Sequence, residues 1–192
     1  MYNLTATNWS KIKPFYVEFG ANRLYGDMVS KQADEIPHLL CLPGASQAGR
    51  SEFALIRQLL LSQFGLASCA FDFIQPSVLD EPTTTGLMAQ CVDIIEACFD
   101  SQPFSIVAVE QSSELAWRLI EIFPVTSLIL LNATLEIPAL TIPYRCIRIT
   151  GQPEQTLNFI NSHPILLLKT VTLIRDTLAG DTTPVLLQGH HE

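Results

Sequence analysis

The stretch FSIVAVEQSSELAWRLIEIF, residues 104–123, decides the fold. It begins with a short apolar run at residues 106–109 that is rich in β-branched side chains and typical of a buried strand. It ends in an amphipathic pattern that predicts a helix. The four residues between them, Glu110 to Ser113, contain no Gly or Pro and predict a tight strand-to-helix turn. In a parallel sheet such a turn lies at the carboxyl end of a strand, where ligands bind. Glu110 is therefore a candidate functional residue.

The composition indicates one globular domain spanning residues 1–192. Apolar residues make up 48% of the chain and charged residues 16%, so a sizeable core can form and disorder is not expected. The net charge of −8 and the absence of any Lys/Arg cluster argue against a nucleic-acid partner. The longest apolar runs fall well short of the ~20 residues that a membrane span needs, so no membrane association is expected.

The cysteines and the N-terminal sequence indicate a compartment. The five cysteines include no C-x-x-C pair, and an odd number without a spacing pattern fits reduced core thiols better than a disulfide framework. The first residues, MYNLTATNWSKIKPFY, lack the uninterrupted apolar segment of a signal peptide. We expect a cytoplasmic protein.

Strand and helix patterns alternate along the chain. Residues 15–18 and 23–29 predict a hairpin around Gly20-Ala21-Asn22. Further strands are predicted at residues 39–42, 67–73, 106–109, 127–131, 145–150 and 184–187. Helices are predicted at residues 51–61 with Ser51 as the cap, 87–99, 115–123, 153–160 and 165–178, the last stopped by Gly180. This order predicts an α/β fold, a mostly parallel twisted sheet of seven or eight strands with helices on both faces in a three-layer αβα arrangement.

The serial order of these segments resembles the α/β-hydrolase superfamily over most of the chain. The segment LLCLPGASQAGR resembles the family's strand and oxyanion loop, and LASCAFDF its next strand. The segment FSIVAVEQSSELAWRLIEIFP followed by SLILLNAT is similar to the strand, nucleophile elbow, helix and following strand. The segments RCIRITGQPEQ and VLLQGHH resemble those that supply the acid and the histidine.

The sterics of a nucleophile elbow select Glu110 as its apex. Strand and helix crowd this turn, so the residues two before and two after the apex must be small. Glu110 has Ala108 and Ser112 at these positions, whereas an apex at Ser112 or Ser113 has larger neighbours. A glutamate thus stands where the family has its serine.

This departure leaves three interpretations of the elbow open. Glu110 could act as a carboxylate nucleophile or general base. Ser112 or Ser113 could serve as an alternative nucleophile. The site could also have lost catalysis, with Glu110 only hydrogen-bonded at the turn.

The resemblance also implies positions for the rest of a catalytic site. The oxyanion hole would use the backbone N–H of Gln111 and that of Ala45 or Ser46. Glu154 matches the position of the acid, and His190 or His191 that of the histidine. For Glu154 a solvated loop carboxylate is the alternative, and for the two histidines a frayed chain end.

A second motif points to phosphate. Residues Gly44 to Ser51 nearly match the P-loop pattern G-x-x-x-x-G-K-[ST], with Arg50 in place of the lysine. The hairpin before this loop and the small neighbours of Glu110 favour the hydrolase alignment instead.

The functional expectation is therefore a hydrolase-like protein. The resemblance implies ester or thioester hydrolysis, with no cofactor and no metal, by a protein that is either active or has lost catalysis. The alternative is a non-catalytic protein that binds a small acyl-type ligand or a protein partner. The short segment 132–144 stands where relatives often insert a lid, so a small, open pocket is expected.

Overall fold

A computed structural model describes residues 11–32, 34–44, 49–74, 84–131, 145–150, 164–180 and 186–188. Its strands are β1 (Lys11–Phe19), β2 (Asn22–Ser30), β3 (Leu39–Leu42), β4 (Ser68–Phe71), β5 (Phe104–Val109), β6 (Val125–Leu131), β7 (Arg145–Thr150) and β8 (Leu186–Gln188). Its helices are α1 (Ala54–Phe64), α2 (Thr84–Phe99), α3 (Ser112–Leu119) and α4 (Pro164–Ala179), and a 3-10 turn, Gly49–Phe53, leads into α1.

The eight strands form one sheet in the order β1-β2-β4-β3-β5-β6-β7-β8. Strand β2 runs antiparallel to both β1 and β4, and the six strands from β4 to β8 in this order are parallel to one another. The predicted fold class, a mostly parallel sheet with helices on both faces, is confirmed. The predicted hairpin is present, with Gly20 at φ +58° in its turn.

Strands β3, β4 and β5 are buried on both faces, as their short apolar runs require. On β3, Leu40 and Leu42 face the layer of α2 and α3, while Leu39 and Cys41 face the layer of α1 and α4. All six residues of β5 are buried. The sheet thus separates two apolar cores, and on the buried strands β3, β4 and β5 an accessible polar site can form only at the ends.

Several predicted boundaries differ from the structure. The prediction that Ser51 caps the first helix is wrong, because residues 49–53 form the 3-10 turn and α1 follows Phe53 without a side-chain cap. Helix α3 ends at Leu119, although Ile120 and Phe123 still pack against the core. Gly180 does end α4, at φ +91°. The helix predicted at residues 153–160 lies outside the described residues. No helix among the described residues is long and apolar enough to cross a membrane.

A buried ionic network ties the hairpin to α1. The Arg57 side chain is 2% exposed, and its guanidinium forms an ion pair with the Asp27 carboxylate. It also donates to the Asp27 carbonyl at 2.8 Å and to the Ser68 hydroxyl at 3.0 Å. A buried guanidinium is tolerated only when its donors are satisfied in this way, since desolvation of an unpaired charge costs several kcal/mol.

Replacing Asp27 by alanine leaves the Arg57 charge buried without its carboxylate. We expect Asp27→Ala to lower the free energy of unfolding by about 3 kcal/mol or more, measured by urea denaturation. Glu18→Ala is the matched control, because it removes the carboxylate from a solvent-exposed ion pair with Arg23 and should have a much smaller effect. Equal losses in the two variants would contradict the role given to Asp27.

Candidate functional site

The sheet order places a topological switch point at the carboxyl ends of β3 and β5. After β3 the chain continues to β4 on one side, and then crosses to β5 on the other side of β3. At such a switch point the connections diverge beyond the carboxyl ends of the strands, and the space between them admits ligands. Leu42 pairs with Ala108 at these ends. The residues at this switch point are therefore Pro43 and Gly44 after β3, which are both buried, and the half-buried Glu110 after β5.

Glu110 has a left-handed backbone conformation, with φ +51°. Its N–H donates to the Leu131 carbonyl at 3.0 Å, and its carbonyl accepts from the N–H of Ser113 at 3.1 Å. The backbone is thus held between the sheet and the first turn of α3. Left-handed geometry costs roughly 1–2 kcal/mol for a residue with a Cβ. The turn has the conformation that the steric argument anticipated, and its small neighbours Ala108 and Ser112 are both buried.

The Glu110 side chain extends from β5 towards the end of β3. Its carboxylate Oε2 lies 3.2 Å from the place that a Cβ on Gly44 would occupy. That spacing is tighter than ordinary van der Waals contact, so a side chain at position 44 would push the carboxylate away. Glycine at this position therefore allows the half-buried Glu110 carboxylate to lie against the backbone of the loop after β3.

A second carboxylate, that of Glu52, lies close to the same loop. Glu52 is 6% exposed in the 3-10 turn before α1, and its carboxylate accepts a hydrogen bond from the backbone of Gly44. Burial raises the pKa of Glu52, and the nearby Glu110 charge raises it further, while the Gly44 hydrogen bond opposes the change. Glu52 was not among the predicted site residues. Its only signal was an acidic side chain directly before Phe53, at the start of an apolar helix face.

Neither serine after Glu110 offers an accessible hydroxyl. Ser112 is 4% exposed, and its hydroxyl donates to the Pro43 carbonyl. Ser113 is 1% exposed, and its hydroxyl has no hydrogen-bond partner within the described part of the chain. The structure therefore places both alternative nucleophiles inside the protein, behind the turn that exposes Glu110.

The remaining predicted site residues divide into two groups. Gln111 is exposed at the start of α3, where backbone N–H groups lack partners within the helix. Ala45, Ser46, Glu154, His190 and His191 lie outside the described residues. Among the residues that are described, no group of three His, Cys, Asp or Glu side chains is placed to hold a metal ion.

Arg50, the cation of the P-loop-like segment, is bound by carboxylates. Its Nε lies 2.9 Å from Asp27 Oδ2 and its Nη1 lies 2.6 Å from Asp72 Oδ2. Its backbone N–H also donates to Asp72 Oδ1 at 2.8 Å. Gly49, at φ +52°, has the Asp72 carboxylate where a Cβ would be. A phosphate loop needs a cation that is available to phosphate, and here the cation neutralises two carboxylates instead.

Several solved structures share this arrangement of elements. A thioesterase domain from the curacin biosynthetic pathway matches 83% of this chain and 55% of its own, with a TM-score of 0.56 and 18% identity. An epoxide hydrolase from Vigna radiata matches 67% of this chain and 43% of its own, with a TM-score of 0.52 and 19% identity. A proline iminopeptidase from Mycobacterium smegmatis matches 63% of this chain and 44% of its own, with a TM-score of 0.51 and 16% identity.

The chain spans about half the length of these three structures. No protein-family model and no curated protein matches it in sequence. At these low identities the likeness establishes the fold, and the site must be judged from its own residues.

The two buried serines provide a paired test of this geometry. Ser112→Ala removes the donor to a buried carbonyl and should lower the free energy of unfolding by about 1–2 kcal/mol. Ser113→Ala removes a buried hydroxyl without a described partner and should be neutral or slightly stabilising. Both changes have the same helix propensity effect, so chemical denaturation of the two variants compares the hydrogen bonds alone. A larger loss of unfolding free energy in Ser113→Ala than in Ser112→Ala would contradict the hydrogen bonding described for the two serines.

Proposed function

The chain adopts the α/β-hydrolase fold, and we propose that it binds a small acyl-type ligand at Glu110 without serine hydrolysis. The observation that carries this proposal is the side chain at the left-handed turn. A carboxylate occupies the apex at Glu110, while Ser112 and Ser113 are buried beside it. An acyl–serine intermediate requires a hydroxyl that can reach the ligand, and neither serine meets that requirement.

The charge around Gly44 supports the same conclusion. Hydrolysis through a tetrahedral intermediate needs hydrogen-bond donors aimed at a developing negative charge. Here the carboxylate of Glu52 accepts the Gly44 hydrogen bond, and that of Glu110 lies against the same residue. Two carboxyl groups at this position oppose the formation of an oxyanion whenever both are ionised.

The position of the site supports ligand binding. Gly44 and Glu110 lie at the switch point of the sheet, which is where open α/β sheets hold their ligands. The acyl class rests on the resemblance of the loop CLPGAS to thioesterases. The structural likeness to a thioesterase domain is compatible with it.

A second candidate function, hydrolysis by the two carboxyl groups, is favoured by one observation. The pKa of Glu52 is raised by burial and by the Glu110 charge, so Glu52 retains a proton at a higher pH than an ordinary glutamate. A protonated Glu52 could donate to a leaving group while an ionised Glu110 activates water. Glu154, His190 and His191 would belong to this constellation if they reach the site.

Activity and binding measurements on the full chain separate these functions. We expect no labelling by a fluorophosphonate probe and no hydrolysis of p-nitrophenyl esters or N-acetylcysteamine thioesters above the buffer rate. A non-reacting short-chain amide analogue of the thioester should raise the melting temperature, because a ligand that binds only the native state stabilises it by about 2.7 kcal/mol at 100 times its Kd. A probe adduct on Ser112 or Ser113 would contradict the proposal.

If hydrolysis is found, three variants determine whether Glu110 and Glu52 carry it out. Loss of turnover in Glu110→Gln and in Glu52→Gln, with full turnover in Glu114→Gln, would establish the carboxylate mechanism in place of simple binding. Glu114 is the matched control, because it lies in α3 and pairs with Arg118 at the surface. Turnover that survives in all three variants would contradict both candidate functions, ligand binding without hydrolysis and hydrolysis by Glu110 and Glu52.

A further inference from the structure

Two cysteines meet between β4 and α2, away from the Glu110 site. Cys69 lies in β4 and is fully buried, and it belongs to the core on the α2 face of the sheet. Cys98 lies in the last turn of α2, is partly exposed, and packs against the same core. On α2 the buried residues Cys91, Ile94 and Ile95 precede Cys98 at helical spacing, so the Cys98 sulfur is directed towards the sheet.

Cys98 packs against the apolar cluster that contains Cys69, and a hydrogen bond between the two thiols shifts their pKa values in opposite directions. This bond lowers the pKa of Cys98, because its thiolate accepts the Cys69 proton. The same bond raises the pKa of Cys69 well above its ordinary value, and burial adds to that effect. The sulfur nearer to solvent is thus the one that ionises more readily.

Cys41 and Cys91 lack this combination. Cys91, on the same helix, is fully buried, and burial raises its pKa to about 12. Cys41 is buried on the opposite face of the sheet, and burial raises its pKa to about 12 as well. Reactive cysteines need both thiolate character and access to solvent, so Cys98 differs from Cys41 and Cys91 on both counts.

We propose that Cys98 is an oxidation site whose product is a disulfide with Cys69. The oxidant is a hydroperoxide, with hydrogen peroxide as the simplest case. The Cys98 thiolate attacks one peroxide oxygen, the O–O bond breaks, and the departing hydroxide takes up a proton to become water. The Cys98 sulfur, now a sulfenic acid, has lost two electrons.

Cys69 then resolves the sulfenic acid. Its sulfur attacks the Cys98 sulfur and forms the S–S bond, the S–O bond breaks, and the Cys69 proton joins the departing hydroxide, which leaves as water. Two thiols and one hydrogen peroxide thus give one disulfide and two waters. The product joins the end of α2 to β4 independently of any ligand at Glu110.

Peptide mapping of the peroxide-treated full chain tests the pairing. Cleavage before aspartate and after lysine or arginine puts Cys69 on residues 58–71, Cys91 on residues 80–92 and Cys98 on residues 93–99. We expect residues 58–71 linked to residues 93–99, with loss of two of the five thiols. The cross-link should disappear on reduction. In the untreated protein, iodoacetamide should modify Cys98 about tenfold or more faster than Cys91.

Variants assign the role of each sulfur. Cys69→Ser should leave the Cys98 sulfenic acid to be trapped by dimedone, and Cys98→Ser should abolish the disulfide. Cys91→Ser is the matched control and should form the cross-link as the natural chain does. A cross-link from residues 80–92, or oxidation of Cys98 to the sulfonic acid without any cross-link to Cys69, would overturn the proposal.

Discussion

The reversal of the chain at Glu110 is the constraint on which the rest of the site depends. The buried strand β5 must pass within two residues into α3, and the backbone achieves this by taking φ +51° at Glu110. Two other described residues outside glycine, Asp100 and Ser101, also have positive φ. These are a short polar pair in the turn after α2, where such geometry is common. A glutamate has no comparable local hydrogen bond to offset the cost, so the surrounding structure must hold it there.

That support comes from both sides of the turn. The Glu110 N–H extends the pairing with β6 through Leu131, and Ser112 ties the start of α3 to Pro43 at the end of β3. The same contacts bury the two serine hydroxyls and bring the Glu110 carboxylate against Gly44. The geometry that exposes one side chain at the apex therefore removes its neighbours from reaction. Whichever residue stands at the apex decides the chemistry of the site.

Much of the fold was predictable because the parallel strands are buried on both faces. The continuous apolar run at residues 39–42 coincides with β3, and the run at residues 106–109 lies within β5. The apex at Glu110 followed from local sterics, which depend only on residues two positions away.

Glu52 and the Arg57–Asp27 pair were not predicted, because their partners come from other segments of the chain. The partner of Glu52 is the backbone of Gly44, on the other side of the loop that follows β3, and Asp27 is 30 residues from Arg57. No periodicity marks a buried charge whose partner lies on another element. The first helix start was misplaced for a related reason, since the 3-10 turn at residues 49–53 is held by Asp72 at the end of β4.

The most direct test of the central claim is the stability of Glu110→Gly. Glycine adopts positive φ without strain, and the substitution also removes a carboxylate that faces Glu52. We therefore predict that Glu110→Gly raises the free energy of unfolding by about 0.5–1 kcal/mol. Gln111→Gly, at the next residue with φ −64°, brings only the entropic cost of glycine and should lower it by about 0.5–1 kcal/mol. If both variants lose stability equally, Glu110 is not the strained apex of this turn, and the account of the site built on it is contradicted.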